Sequence, residues 1–99
     1  MFEEIDINEL IDDINYMLEV VEGESGSSPF VSNFLLSTVG KQDLKFTKFR
    51  DKVDSRIYDA AITVMYLMRA DYFTIIDILN NAVLNNEELL EKVSQKNIL

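Results

Sequence analysis

The side chains in this sequence that could do acid–base or metal chemistry are almost all carboxylates. The chain has 18 Asp and Glu residues and no His or Cys. Without His it lacks the commonest general base, and without Cys it lacks thiol nucleophiles and thiolate metal ligands. The carboxylates that we consider for such chemistry lie on segments with helical periodicity and are Asp54, Asp59, Asp77, Glu88 and Glu91.

Carboxylates inside a helical bundle can hold a pair of metal ions, but such sites normally include a Glu-x-x-His segment. This chain offers only Glu88-Leu-Leu-Glu91, a spacing that can contribute to Mg²⁺ binding but is frequent on ordinary helix surfaces. The sequence contains no EF-hand loop, P-loop or Gly-x-Gly-x-x-Gly segment, and a serine triad would lack its base. We therefore predict no catalytic residue, no metal site and no cofactor, and interpret the protein as a non-enzyme.

The negative charge is concentrated at the start of the chain. Residues 1–24 contain nine acidic residues and no Lys or Arg, which accounts for the whole net charge of −9. The remaining residues carry nine basic and nine acidic side chains, which cancel. Such a charge distribution repels nucleic-acid phosphates from the first segment and attracts basic protein surfaces to it.

The first predicted helix presents these acids on one face. Stepping 100° per residue gathers seven apolar residues on an arc of about 120°: Ile7, Leu10, Ile11, Ile14, Met17, Leu18 and Val21. The outward side then carries six residues, which we call the acidic patch: Glu9, Asp12, Asp13, Tyr16, Glu19 and Val20. An aromatic and an aliphatic side chain surrounded by acids can dock on a basic protein surface. The simpler alternative is a solvated face with two incidental apolar residues.

A second charged feature lies between residues 41 and 56, where six basic residues accompany three acidic ones. Five of them follow spacings of four, three, four and four, and we call them the basic edge: Lys41, Lys45, Lys48, Lys52 and Arg56. Interleaved with Phe46 and Phe49, this edge could contact phosphates or stack on bases. Those phenylalanines fit the apolar stripe better, however, and nucleic-acid binders are usually basic overall. We therefore expect the basic edge to face the first helix, within the monomer or across a dimer, and do not expect nucleic acid as a partner.

The elements that position these residues are predicted to be helices throughout. Apolar residues recur with helical periodicity, and no strand-period alternation occurs. We predict one all-α domain covering residues 1–99, a bundle of four or five helices. Their expected bounds are about 6–22, 29–39, 43–70, 72–85 and 87–96.

Capping residues set several of these bounds. Asp6 and Asn85 each precede a Glu by three residues, which is the spacing of a capping box. Ser28 is followed by Pro29, as at the start of a helix, and Gly40 fits the position just after a helix end. The expected N-caps are Asp6, Ser28, Asp71 and Asn85.

The third predicted helix, residues 43–70, is expected to be the long central element. It contains no Gly or Pro, and at 1.5 Å per residue it would be roughly 40 Å long. From Ile57 onward it is apolar nearly all round, which predicts burial on most sides. Its flexible and aromatic side chains could line a ligand groove, although core packing is the favoured interpretation. They are Tyr58, Met65, Tyr66 and Met68.

The second predicted helix, residues 29–39, is short, apolar and uncharged. It is therefore either buried in the bundle or half exposed for a partner. No uncharged apolar stretch approaches the ~20 residues of a membrane span, and the N-terminus does not resemble a signal peptide. We accordingly expect a cytoplasmic protein with no membrane association.

These features predict a small acidic binding protein. Through the acidic patch it would inhibit or neutralise a partner protein, as an immunity protein, an antitoxin or a phage-type inhibitor does. The alternative is a structural or assembly protein, whose copies form a homo-oligomer through the acidic first helix and the basic edge.

Overall fold

A computed structural model describes residues 7–96. The predicted all-α class is confirmed for this part of the chain, where no strand occurs. Its five helices are α1 (Ile7–Glu22), α2 (Ser28–Thr38), α3 (Phe46–Lys52), α4 (Ser55–Ala70) and α5 (Tyr72–Ser94). The expected cap Asp6 lies outside the described residues.

The most deeply buried helix is α2. Every residue from Ser28 to Leu36 is buried, as expected for an uncharged helix whose apolar residues are not confined to one face. It packs most extensively against α5 and also contacts α1 and α3. Of the two alternatives for this segment, burial in the bundle is the correct one. The centre of the structure is therefore α2 instead of the segment 43–70.

The prediction of one long helix over residues 43–70 is wrong, because the segment forms two helices. The backbone is extended at Val53 and Asp54, and the Asp54 carboxylate accepts a hydrogen bond of 2.9 Å from the backbone N–H of Ile57. An Asp at an N-cap satisfies a backbone N–H that has no carbonyl partner at the start of a helix. As a result α3 has only seven residues.

For α5 the prediction is wrong in the opposite sense. Two helices were predicted, and the structure has one helix of 23 residues. Asn85 is an exposed interior residue of α5 and does not cap a new helix. The buried face continues across this position, from Val83 to Leu90, so helix propagation is supported by packing on both sides. The expected cap at Asp71 does form, since its carboxylate accepts from the N–H of Thr74.

The C-terminal end of α2 is fixed by backbone hydrogen bonds. Gly40 has φ +78°, and the N–H groups of Gly40 and Lys41 bond to the carbonyls of Ser37 and Leu36 at 3.2 and 3.0 Å. This arrangement is a Schellman motif, which favours Gly at that position as predicted. At the other end, the N-cap is Ser27 instead of Ser28.

A buried amide holds the connection between α2 and α3. Asn33 of α2 donates to the Gln42 side chain and to the Asp43 carbonyl at 2.9 and 3.0 Å, and it accepts from the Lys45 N–H at 3.0 Å. Gln42 in turn donates to the Ser94 hydroxyl of α5 at 2.9 Å. Connected polar groups of this kind fix backbone positions in a core. The network thus fixes the backbone of the connection that carries Lys41 and Lys45, the first two residues of the basic edge.

Candidate functional site

The structure divides the acidic patch between two sides of α1. The residues Leu10, Ile14, Met17 and Val21 bury the inner face of this helix. Asp12 and Glu19 lie opposite and are exposed. Tyr16 and Val20, in contrast, are partly buried and pack against the core. The acidic patch therefore has three exposed acids, one half-buried acid (Asp13) and two apolar residues that already have intramolecular contacts.

Tyr16 packs against a basic residue of α4. The guanidinium carbon of Arg56 lies 4.0 Å from the centroid of the Tyr16 ring, which is a cation–π contact of about 0.5–1 kcal/mol at an exposed site. Arg56 belongs to the predicted basic edge. This member of the edge therefore does face the first helix, within one molecule.

An open cleft between α1 and α4 collects further charged groups around Arg56. Two hydroxyl residues, an alanine and three carboxylates complete its lining. The lining residues are Glu9, Asp13, Ser55, Arg56, Asp59, Ala60 and Thr63. With three acids and a single basic group, the cleft has a negative balance and favours cations over anions.

Three of the acids on α1 are not neutralised by neighbouring cations in the described part of the chain. Asp12, Glu19 and Glu22 are exposed and have no ion-pair partner among residues 7–96. Their charge is consequently available to a second molecule, and pairing with it would not require breaking an existing ion pair.

The basic edge is dispersed over three parts of the fold because the predicted helix 43–70 is interrupted. Lys41 lies between α2 and α3, where its ammonium is 2.7 Å from the Glu87 carboxylate of α5. Hydrogen bonding to Glu87 and its negative charge raise the pKa of Lys41 above its ordinary 10.5. Lys45 is the N-cap of α3. Lys48 and Lys52 belong to α3, and Arg56 to α4. The structure does not bring the five together as one stripe along a single helix.

A second ion pair joins the end of α1 to the end of α5. Lys96 donates to the Glu24 carboxylate, and this hydrogen bond, together with the positive charge, lowers the pKa of Glu24 below its ordinary 4.5. The partners are 72 residues apart in the chain. No local pattern in the sequence could have indicated the pair.

The aromatic and methionine residues of α4 have mixed environments. Tyr58, Met65 and Met68 are half buried and pack against the core, in agreement with the favoured interpretation. Tyr66 is instead 48% exposed. Met65 and Met68 also line a shallow cleft below the end of α2, so part of their surface remains accessible.

Two exposed apolar residues of α5 were not singled out from the sequence. Phe73 is 84% exposed and Leu84 is 68% exposed, more than any other large apolar side chain described. Both lie within the predicted helix 72–85, and single apolar residues on the outward side of a helix are common enough to carry no signal of their own. In the continuous helix both residues lie on the outward side.

The structure places the carboxylates considered for metal chemistry on the surface. Asp54, Asp59, Asp77, Glu88 and Glu91 are all exposed. Within the described part of the chain, no group of three or more acidic side chains is arranged to hold a metal ion. None of the helices there is long and apolar enough to cross a membrane.

Comparison of the chain with protein-family models, with curated proteins and with solved structures finds no match in any of the three.

Proposed function

We propose that this protein binds a basic surface of a partner protein through the outward acids of α1, and that it inhibits or neutralises the partner by covering that surface. The observation that carries the proposal is the exposure of Asp12, Glu19 and Glu22 with no ion-pair partner among residues 7–96. In the sequence, three more acids precede the helix, Glu3, Glu4 and Asp6. The action would be binding and steric exclusion, with no chemical step.

Electrostatic attraction suits this role because it acts before contact. Complementary charges speed the encounter of two proteins and disfavour partners of the same sign. A row of acids on a helix is also held in a fixed geometry, so its orientation towards the partner is set before binding. The expected complex forms quickly at low salt and weakens as salt screens the charges.

The packing of Tyr16 and Val20 changes how the acidic patch would be used. Both pack against the core, so the fully exposed aromatic anchor that many interfaces have at their centre is missing from this face. Basic side chains of the partner would instead be bound by Asp12 and Glu19, and by Asp13 in the cleft between α1 and α4. This arrangement favours a partner with several Lys or Arg side chains in a row.

Affinity purification with matched variants tests this proposal. The baits are the wild-type chain, Asp12→Lys/Glu19→Lys on α1, and Asp43→Lys/Asp51→Lys, which makes the same charge change around α3. We expect a basic protein to be enriched by the wild type and the α3 variant and lost with the α1 variant. With that protein purified, titration should show binding weakened about tenfold or more by the α1 pair. Equal binding of all three baits would contradict the proposal.

The assembly alternative is supported by a different observation. Lys45 and Lys52 are exposed and have no ion-pair partner within residues 7–96, so they could bind the α1 acids of another copy. Light scattering distinguishes this possibility, because exposed charge pairs are screened at high ionic strength. The alternative requires an oligomer at low salt that dissociates on adding about 0.5 M NaCl. A monomer at low salt excludes it.

A further inference from the structure

The shallow cleft below the end of α2 is wide enough to hold a small organic molecule. Its volume is about 430 Å³, and ligand pockets in proteins are typically about 300–1,000 Å³. Residues of α2, of α4 and of the connection after α2 line it, and four of them are apolar: Phe34, Leu44, Met65 and Met68. Methionine side chains adapt to the shape of what they contact and interact favourably with aromatic rings. This lining therefore suits the apolar part of a ligand.

The two hydroxyl groups in the lining can accept hydrogen bonds from a ligand but cannot donate to it. Ser37 donates to the carbonyl of Phe34 at 2.6 Å, and Thr38 donates to the carbonyl of Leu35 at 2.6 Å. A hydroxyl group has a single hydrogen, so only the lone pairs of the two oxygens remain for a ligand. These groups therefore suit a ligand that donates hydrogen bonds.

The charge of the cleft also favours a donor. Asp43 carries the one charged side chain in its described lining, is exposed and has no ion-pair partner among residues 7–96. Ser37 and Thr38 belong to the last turn of α2, which contains no basic residue, and the C-terminus of a helix has a partial negative charge. Lys41, which follows this end, is instead paired with Glu87 of α5 at 2.7 Å. The cleft thus joins an unpaired carboxylate to a helix end that lacks a cation.

The backbone that carries Asp43 is held in place by the network around Asn33. Asn33 donates to the carbonyl of Asp43 at 3.0 Å and accepts from the N–H of Lys45 at 3.0 Å. On the other side of Asp43, the Gln42 side chain accepts from Asn33 and donates to Ser94. A site whose backbone is fixed before the ligand arrives loses less conformational entropy on binding.

We propose that this cleft binds a small organic ammonium ion, with the ammonium group donating to the Asp43 carboxylate and the apolar part of the molecule against Met65 and Met68. A neutral molecule of the same shape leaves the carboxylate without a counter-charge, and an anionic one is repelled by it. No residue of α1 belongs to the described lining. The site is therefore separate from the α1 acids and goes beyond the partner binding proposed above.

Methyl resonances of the methionines test the site, because methionines lie both inside and outside the cleft. The probe is benzylammonium, and benzyl alcohol and benzoate are its neutral and anionic counterparts. We expect benzylammonium to shift the Met65 and Met68 resonances saturably, with a dissociation constant on the order of a millimolar for so small a molecule. Met17, 0% exposed on the inner face of α1, should not shift. Benzyl alcohol should bind about fivefold or more weakly, and benzoate more weakly still.

A matched pair of variants tests the role of the Asp43 charge. Asp43→Asn keeps the shape of the side chain, and should weaken benzylammonium binding about fivefold or more while leaving benzyl alcohol unaffected. Asp77→Asn makes the same change in net charge at an exposed position of α5 outside the cleft, and should have a clearly smaller effect.

Three results would overturn the proposal: Met65 and Met68 resonances that do not shift saturably with benzylammonium, equal affinity for benzyl alcohol, or equal weakening by the Asp43 and Asp77 variants. The last result would mean that the probe responds only to the net charge of the protein. None of the three affects the partner-binding test on α1, which uses different residues and a different readout.

Discussion

Asp54 and Asn33 show how single polar side chains decide the path of this chain. Asp54 binds the Ile57 N–H and starts α4, while Asn33, only 2% exposed, makes three hydrogen bonds to the connection after α2. A buried amide without partners would cost about 1–3 kcal/mol. Satisfying Asn33 therefore requires residues 42–45 to lie against α2, and the short α3 begins directly after them.

The N-cap Asp54 and the predicted but unformed cap Asn85 can be compared by matched substitutions. Asp54→Ala removes an N-cap hydrogen bond and should lower the free energy of unfolding by about 1 kcal/mol. Asn85→Ala is made at an exposed position inside α5, where Ala is the better helix former, and should raise it by up to about 0.5 kcal/mol. Urea denaturation measures both values. A loss at Asn85 as large as that at Asp54 would show that Asn85 acts as a cap.

The candidate site could be predicted from the sequence only in part, for reasons visible at individual residues. Periodicity correctly placed Asp12 and Glu19 on the side of α1 away from its buried residues. It could not show that α4 lies beside α1, so that Tyr16 meets Arg56 across 4.0 Å. The angular position of a residue on a helix shows how far it lies from the apolar face of that helix. Whether a residue such as Tyr16, beside that face, is buried depends on which helix packs next to it.

At the scale of helices, the all-α class was predictable because apolar spacing repeats throughout the chain. The start of α5 after Asp71 and the Gly that follows α2 were predictable too, since caps are local signals. Which segments form one helix and which form two was not predictable. A break at Val53 and Asp54 needs no Gly or Pro, because one carboxylate can start a new helix. Conversely, the Asn85–Glu88 spacing suits a cap but is overruled by the continuous packing of α5.

The order of burial among the helices also depends on tertiary structure. The segment 57–68 and α2 are both apolar, and the sequence favoured the longer one as the centre. In the fold, α4 exposes Ile62 and Tyr66 on one side, while α2 is enclosed by α1, α3 and α5. The absence of charge over residues 29–39 was the better indicator, because charged residues are almost never fully buried unless they are paired.

At the scale of the whole molecule, the uneven distribution of charge has an energetic cost. The outward acids of α1 repel one another, and the ion pairs at Lys41 and Lys96 are on the surface, where such pairs contribute little. High net charge favours solubility and opposes compaction. The proposed partner, by neutralising α1, would relieve this repulsion and stabilise the fold.

Salt should therefore stabilise the isolated chain. Raising NaCl from about 0.01 M to about 0.1 M shortens the screening length from about 30 Å to about 10 Å, which reduces repulsion among the α1 acids. We expect the thermal midpoint to rise by several degrees, measured at a protein concentration low enough to keep the chain monomeric. The variant Asp12→Asn/Glu19→Gln should have a higher midpoint at low salt and a smaller rise. A midpoint that falls on adding salt would show that the ion pairs outweigh the repulsion.

The packing of α2 against α5 has a consequence for biosynthesis. A ribosome releases the chain from its N-terminus, so the apolar surface of α2 emerges long before α5, its principal cover, has been made. The hydrogen bond between Gln42 and Ser94, 52 residues apart, likewise waits for the last turns of α5. Until then the nascent chain carries an uncovered apolar helix that invites aggregation or chaperone binding. The fold is therefore completed only after α5 has been synthesised and has packed over α2.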